Sequence, residues 1–193
     1  MRGATLGALA GLVLVPREAG AHLVTTGLGP VYDGISHFAL TPEDLLPVLA
    51  LSLLAGLSGP RHGRAVLFVL PTAWFFAGLA GLSRPSELLL PALTASSLLV
   101  LAALVALDRK LPLGIVAGLA AALGLLHGYL NGTAKLGALG LSGVAATLFV
   151  VVALVAAFVV SLRAPWSRIA VRVAGSWLAA ISILMIGWTF RAG

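Results

Sequence analysis

Residues 138–162 read ALGLSGVAATLFVVVALVAAFVVSL, a run without one ionisable side chain. It exceeds the roughly 20 apolar residues that one helix needs to cross a bilayer core. Comparable runs lie at 44–59, 65–83, 86–107, 112–130 and 168–190, joined by connections of a few residues. Backbone groups surrounded by lipid must be paired within their own segment, and the alternation of barrel strands is absent, so these runs are helices. The expectation is an all-α, polytopic transmembrane bundle of six spanning helices over residues 44–193, the first somewhat short.

Composition agrees. Sixty per cent of the 193 residues are hydrophobic and 9% are charged, which leaves no polar shell for a soluble globule. The net charge of +6 raises the question of nucleic acid, but the cations stand singly at run ends and form no basic stripe. Nucleic acid is therefore not an expected partner, and membrane lipid is. Without cysteine there is neither a disulfide framework nor a thiolate ligand, so a metal site would draw on imidazole, carboxylate, amine or backbone donors.

The chain opens with Met1-Arg2, runs apolar from Ala4 to Val15, breaks at Pro16-Arg17-Glu18 and reaches Ala19-Gly20-Ala21. At about 1.5 Å per residue the apolar part is too short for a bilayer core of about 30 Å. With its small-x-small end it reads as a cleavable signal peptide over 1–21; the other reading is an uncleaved short helix. Cleavage after Ala21 would leave His22 as the first residue, offering an α-amine and an imidazole to one ion. Residues 22–43 are then an outer-facing loop. On that topology Arg61, Arg64, Arg109, Lys110, Arg163, Arg168 and Arg172 fall inside, and Arg84, Lys135 and Arg191 outside. This asymmetry follows the positive-inside rule and puts both mature termini outside.

Within the runs, Gly114, Gly118, Gly124, Gly128 and Gly132 give the fourth helix a smooth face at four-residue spacing, so this helix is expected at the centre of the bundle. Trp166 and Tyr129 suit the interface, whereas Trp74 and Trp177 are expected to pack inside.

Chemistry concentrates in 27–44, GLGPVYDGISHFALTPED, with Asp33, His37, Glu43 and Asp44. Asp33 and His37 are one turn apart and would share a side of a helix. Thr41-Pro42-Glu43-Asp44 also reads as a helix start, with Thr41 at the N-cap, Pro42 at the first position and the acids at the positive end of the dipole. His127 is the one ionisable group well inside the fourth run, near its outer end, with Asn131 one turn on. It is either a packing histidine or a ligand. Ser52, Thr94, Ser96 and Ser97 are expected to bond back to their own helices. No acid is expected at membrane depth to serve a proton relay or to orient His127, so a Ser-His-Asp hydrolase is disfavoured and the protein is not expected to be an enzyme.

These residues resemble the HupE/UreJ membrane proteins. That family's His-Pro-x-x-Gly-x-Asp-His signature falls in frame with His37-Phe38-Ala39-Leu40-Thr41-Pro42-Glu43-Asp44, and its later His-Gly with His127-Gly128. The first His is kept; Glu43 stands for the acid, Asp44 for the second His, and Phe38 and Thr41 for Pro and Gly. The resemblance implies a bacterial inner-membrane nickel or cobalt permease, or a hydrogenase or urease accessory protein. It puts His37, Glu43, Asp44 and His127 at an outer-facing metal site, to which position and chemistry add Asp33 and His22. The expected substrate is a divalent transition metal, nickel first, with cobalt or copper as alternatives. Expected partners are that ion, a metalloenzyme maturation protein and a second copy of the chain. The alternatives are a non-transporting accessory protein and a membrane metal-binding oxidoreductase using His22 with His37.

Overall fold

The computed structural model describes residues 26–83 and 91–191. The signal peptide reading and His22 lie outside the described residues. Among these the fold is wholly helical: α1 (Pro30–Leu40), α2 (Pro42–Ser58), α3 (Pro60–Gly81), α4 (Pro91–Ala106), α5 (Leu113–Thr133), α6 (Gly137–Ser161) and α7 (Pro165–Arg191). Prolines open α1, α2 and α3, where their fixed φ suits the first turn and their missing N–H would have no partner anyway. Four helices, α3, α5, α6 and α7, are long and apolar enough to cross a membrane. The α1–α2 pair makes a fifth span if counted as one, bent by 75°, and α4 is a shorter apolar helix. The chain is thus a multi-pass membrane protein.

The stretch expected as a loop contains α1. Its backbone lies directly against α6: a Cβ on Gly34 would run into the Gly140 backbone, and one on Gly143 into Val31. Two glycine-bearing surfaces thereby let a short helix of mixed polarity seat on the first turns of α6.

The most extensive helix pairing among the described residues is α3 with α5. Gly124 faces Leu70, Gly128 faces Trp74 and Gly132 faces Gly78, so the two helices run in the same direction. A side chain at Gly128 or Gly132 would collide with a carbonyl of α3. Gly114 and Gly118, by contrast, have open space beside them. This glycine ridge serves one neighbour, and the central helix is α2, which touches every other described helix. The expectation of a central α5 is therefore corrected: a smooth face shortens the distance to one partner without adding partners.

α7 runs antiparallel to α4, with Ser182 Oγ donating to the Ala95 carbonyl (2.6 Å) at one end. At the other end Arg168 makes two bonds to Asp108 (2.5 and 2.7 Å). Trp177, expected to pack inside, is 69% exposed on this outlying helix. Trp74 is fully buried as expected.

Candidate metal-handling site

The N-terminal end of α2, the start of α4 and the C-terminal halves of α3 and α5 meet at one end of the bundle. Asp44, the third residue of α2, turns inward and is 5% exposed; His127 on α5 is fully buried. Their contact is direct, His127 Nδ1 to Asp44 Oδ1 at 2.8 Å. The second carboxylate oxygen accepts from Asn131 Nδ2 at 2.8 Å, and the same amide nitrogen reaches the His127 carbonyl at 3.1 Å. Both partners are acceptors, so the amide orientation is fixed by the network, with Nδ2 toward them. The Asn131 Oδ1 atom is left buried without a hydrogen-bond partner. A carboxylate beside Nδ1 likewise puts a proton on that nitrogen and turns Nε2 toward the other side of the ring.

On that side stands Ser97 of α4, its Oγ 3.1 Å from Nε2. The Ser97 hydroxyl also donates to the Thr94 carbonyl at 2.7 Å, so its single proton has two acceptors within reach. Trp74 stacks on the imidazole with ring centroids 5.5 Å apart, and Phe38 of α1 meets Trp74 edge-on at 6.0 Å. One aromatic ring, from α3, thus covers the His127 ring, and a second, from α1, backs the first. Trp74 Nε1 is a second buried polar atom without a partner.

The other sequence candidates are placed as follows. His37, in the last turn of α1, is half-buried, and burial holds its imidazole below the usual histidine range, offset only in part by the Asp44 charge. Asp33 accepts from the Thr26 N–H (2.6 Å) and hydroxyl (2.7 Å), which hold its carboxyl below the usual aspartate range. It is engaged with the chain before α1. Glu43 is exposed in the first turn of α2, as a helix-end acid would be. Thr41 occupies the N-cap position, but its hydroxyl donates backward to the His37 carbonyl (2.6 Å) and caps nothing. His62 is at the opposite end, bonded to the Leu111 carbonyl at 3.1 Å. Among the described residues no three His, Asp or Glu side chains gather closely enough to hold a metal ion.

Two expectations change here. An acid does orient His127, because Asp44 lies in the core and not at the surface of its helix end. Ser97 does bond back to its helix, as Ser52 and Ser96 do, but it also faces the histidine. Its role was not visible in the sequence, where it is one of several mid-helix hydroxyls. Phe38, standing where the family signature has proline, was missed as part of the site; its spacing of four from Gly34 marks the inward face of α1.

No curated protein and no solved structure matches the chain. The family model described as HupE / UreJ protein matches residues 10–185, and the chain belongs to that family.

Proposed function

We propose that the protein transports or delivers a divalent transition metal ion, nickel before cobalt or copper, across or at the bacterial inner membrane. The observation that carries this reading is the His127–Asp44 pair. A metal-ligating imidazole commonly gives its other ring N–H to a carboxylate, which sets its tautomer and orientation. His127 is held in that manner, with Nε2 free of backbone contacts and facing a hydroxyl that can rotate away. The unpaired Asn131 Oδ1 adds an oxygen donor in the same unit. His37 supplies a second imidazole from α1. Nitrogen and oxygen donors without thiolate suit borderline ions such as Ni²⁺ and Co²⁺.

On this reading Asp44, where the family signature has histidine, has exchanged a ligand role for an orienting one. Capture of the ion then requires α1 to bring His37 toward His127. A site whose ligands are only partly assembled at rest also releases its ion readily, as a passage requires. The reading keeps six crossings, α2 to α7, after a cleaved signal peptide, with both mature termini outside. The seven-to-three distribution of Lys and Arg supports that orientation. Family membership favours a permease-like or accessory protein over an enzyme.

Nickel uptake by cells expressing the wild type, His37→Ala or His127→Ala tests it. Uptake should fall to the vector background in both variants, and unchanged uptake in both sinks the proposal. Reconstituted vesicles that pass no nickel, from a protein that co-purifies with a maturation factor, would assign the accessory role instead.

One observation favours a second reading. Ser97, His127 and Asp44 follow in the order of an acyl-transfer triad, and Ser97 lines a groove of about 240 Å³ with Leu93, Val100 and Leu126. Against it, the serine proton is already donated to Thr94 at the shorter distance. Covalent labelling of Ser97 by a fluorophosphonate, lost in His127→Ala, would decide for the hydrolase.

A further inference from the structure

At the end of the bundle opposite His127, the first turns of α3 and the last turns of α6 leave a groove of about 630 Å³ between them. Its walls are short side chains: Gly63 and Leu67 on α3, and Ala153, Ala156, Ala157 and Val160 on α6. Even a Cβ added at Gly63 would only graze the Ala156 methyl, at 3.4 Å. Toward the membrane interior Phe68 and Phe149 meet edge-on, ring centroids 5.9 Å apart, and bridge the same two helices. The trough therefore has an apolar floor, and the aromatic pair lies beyond its lining residues, next to Leu67 on α3.

At its open end stand Arg64 and Arg163, both exposed. Asp108, the one described carboxylate at this end, is fully engaged by Arg168. Among the described residues, neither Arg64 nor Arg163 has an ion-pair partner. On its other flank Arg163 borders a second cavity, about 370 Å³, that reaches Ser167 and Arg168.

We propose that this groove binds an anionic phospholipid, with its phosphodiester between Arg64 and Arg163 and one acyl chain along the alanine trough toward the Phe68–Phe149 pair. Guanidinium forks match phosphate oxygens in geometry and charge. Arginine stems can lie on an apolar wall while their heads reach the interface, where basic pockets between spanning helices select acidic headgroups. The Arg163 side cavity, about 370 Å³, has room for the headgroup beyond the phosphate. A zwitterionic lipid fits the trough equally well but lacks the net charge. A soluble phosphate satisfies the arginines and leaves the trough unused.

The test uses the full chain in neutral detergent, titrated with phosphatidylglycerol or phosphatidylcholine and read by native mass spectrometry and thermal melting. One phosphatidylglycerol should bind saturably and raise the melting temperature, and phosphatidylcholine should not. The double variant Arg64→Gln/Arg163→Gln should weaken binding by about tenfold or more, the scale of a lost charge-assisted bond. Arg109→Gln, at an exposed cation of the same end outside the groove, should leave it unchanged. Ala157→Phe fills the trough at an exposed position, keeps both arginines and should also abolish binding. The proposal is overturned if phosphatidylcholine binds equally, if Arg109→Gln is as harmful as the double variant, or if Ala157→Phe binds normally. Displacement of the lipid by millimolar glycerol phosphate would assign the arginines to free phosphate and overturn it as well.

Discussion

Replacing Asp44 by alanine removes a carboxylate whose two oxygens serve His127 Nδ1 and Asn131 Nδ2, each at 2.8 Å. Asn131 keeps its bond to the His127 carbonyl, but the imidazole N–H is left buried without an acceptor. Two bonds involving a charged group, at about 1.5–3 kcal/mol each, give a loss of about 3–6 kcal/mol. Asp44→Asn should cost less, about 1–3 kcal/mol, because an amide oxygen can still accept from Nδ1 while its NH₂ opposes that of Asn131. The assay is reversible unfolding in mixed micelles, with His127→Ala and the double variant completing a cycle. The coupling energy should exceed about 1.5 kcal/mol. If Asp44 were merely a helix-end acid, Asp44→Ala would cost about 0.3–1 kcal/mol. A loss of that size, or a coupling to His127 near zero, refutes the pairing.

Gly132→Ala pushes a methyl into the Gly78 carbonyl and should destabilise by about 1–3 kcal/mol in the same unfolding assay. Gly118→Ala, with open space beside it, should instead leave stability unchanged or raise it by up to about 1 kcal/mol. Asp33, held below the usual aspartate range by Thr26, contributes its tie fully above the unfolded-state pKa and loses it as pH falls through the lowered value. Protection of the Thr26 amide against hydrogen exchange should therefore be intact at neutral pH, persist through about pH 4, the ordinary aspartate value, and vanish only below the lowered one; Asp33→Asn should weaken it already at pH 7. Trp74→Ala, which uncovers the ring of His127, should lower nickel uptake while the His127–Asp44 bond persists; uptake equal to wild type would show that the stacked ring has no part in it.

The membrane helices were legible because long runs without charge have no stable alternative to a lipid-embedded helix. α1 was not, since its inward stripe of Gly34 and Phe38 lies in a helix of only eleven residues, and its seat on α6 at Gly140 and Gly143 lies more than a hundred residues away in sequence. Asp44 showed two plausible local roles, and its partner lies 83 residues away. A signal was nevertheless present. Asp44 and His127 adjoin apolar runs otherwise almost free of ionisable groups, and burying either alone is costly, so pairing them satisfies both. Ser97 gave no such signal, because hydroxyls in helices are satisfied by their own backbone. The glycine spacing of α5 announced a close neighbour correctly, but carried no information on how many neighbours there would be.

The central claim is that the imidazoles of His127 and His37 take the ion. Nickel-edge X-ray absorption of the purified, nickel-loaded protein addresses it directly. The spectrum should contain scattering from two imidazoles, reduced to one in His127→Ala and in His37→Ala alike. Bound nickel with the same imidazole scattering in both variants would contradict the account.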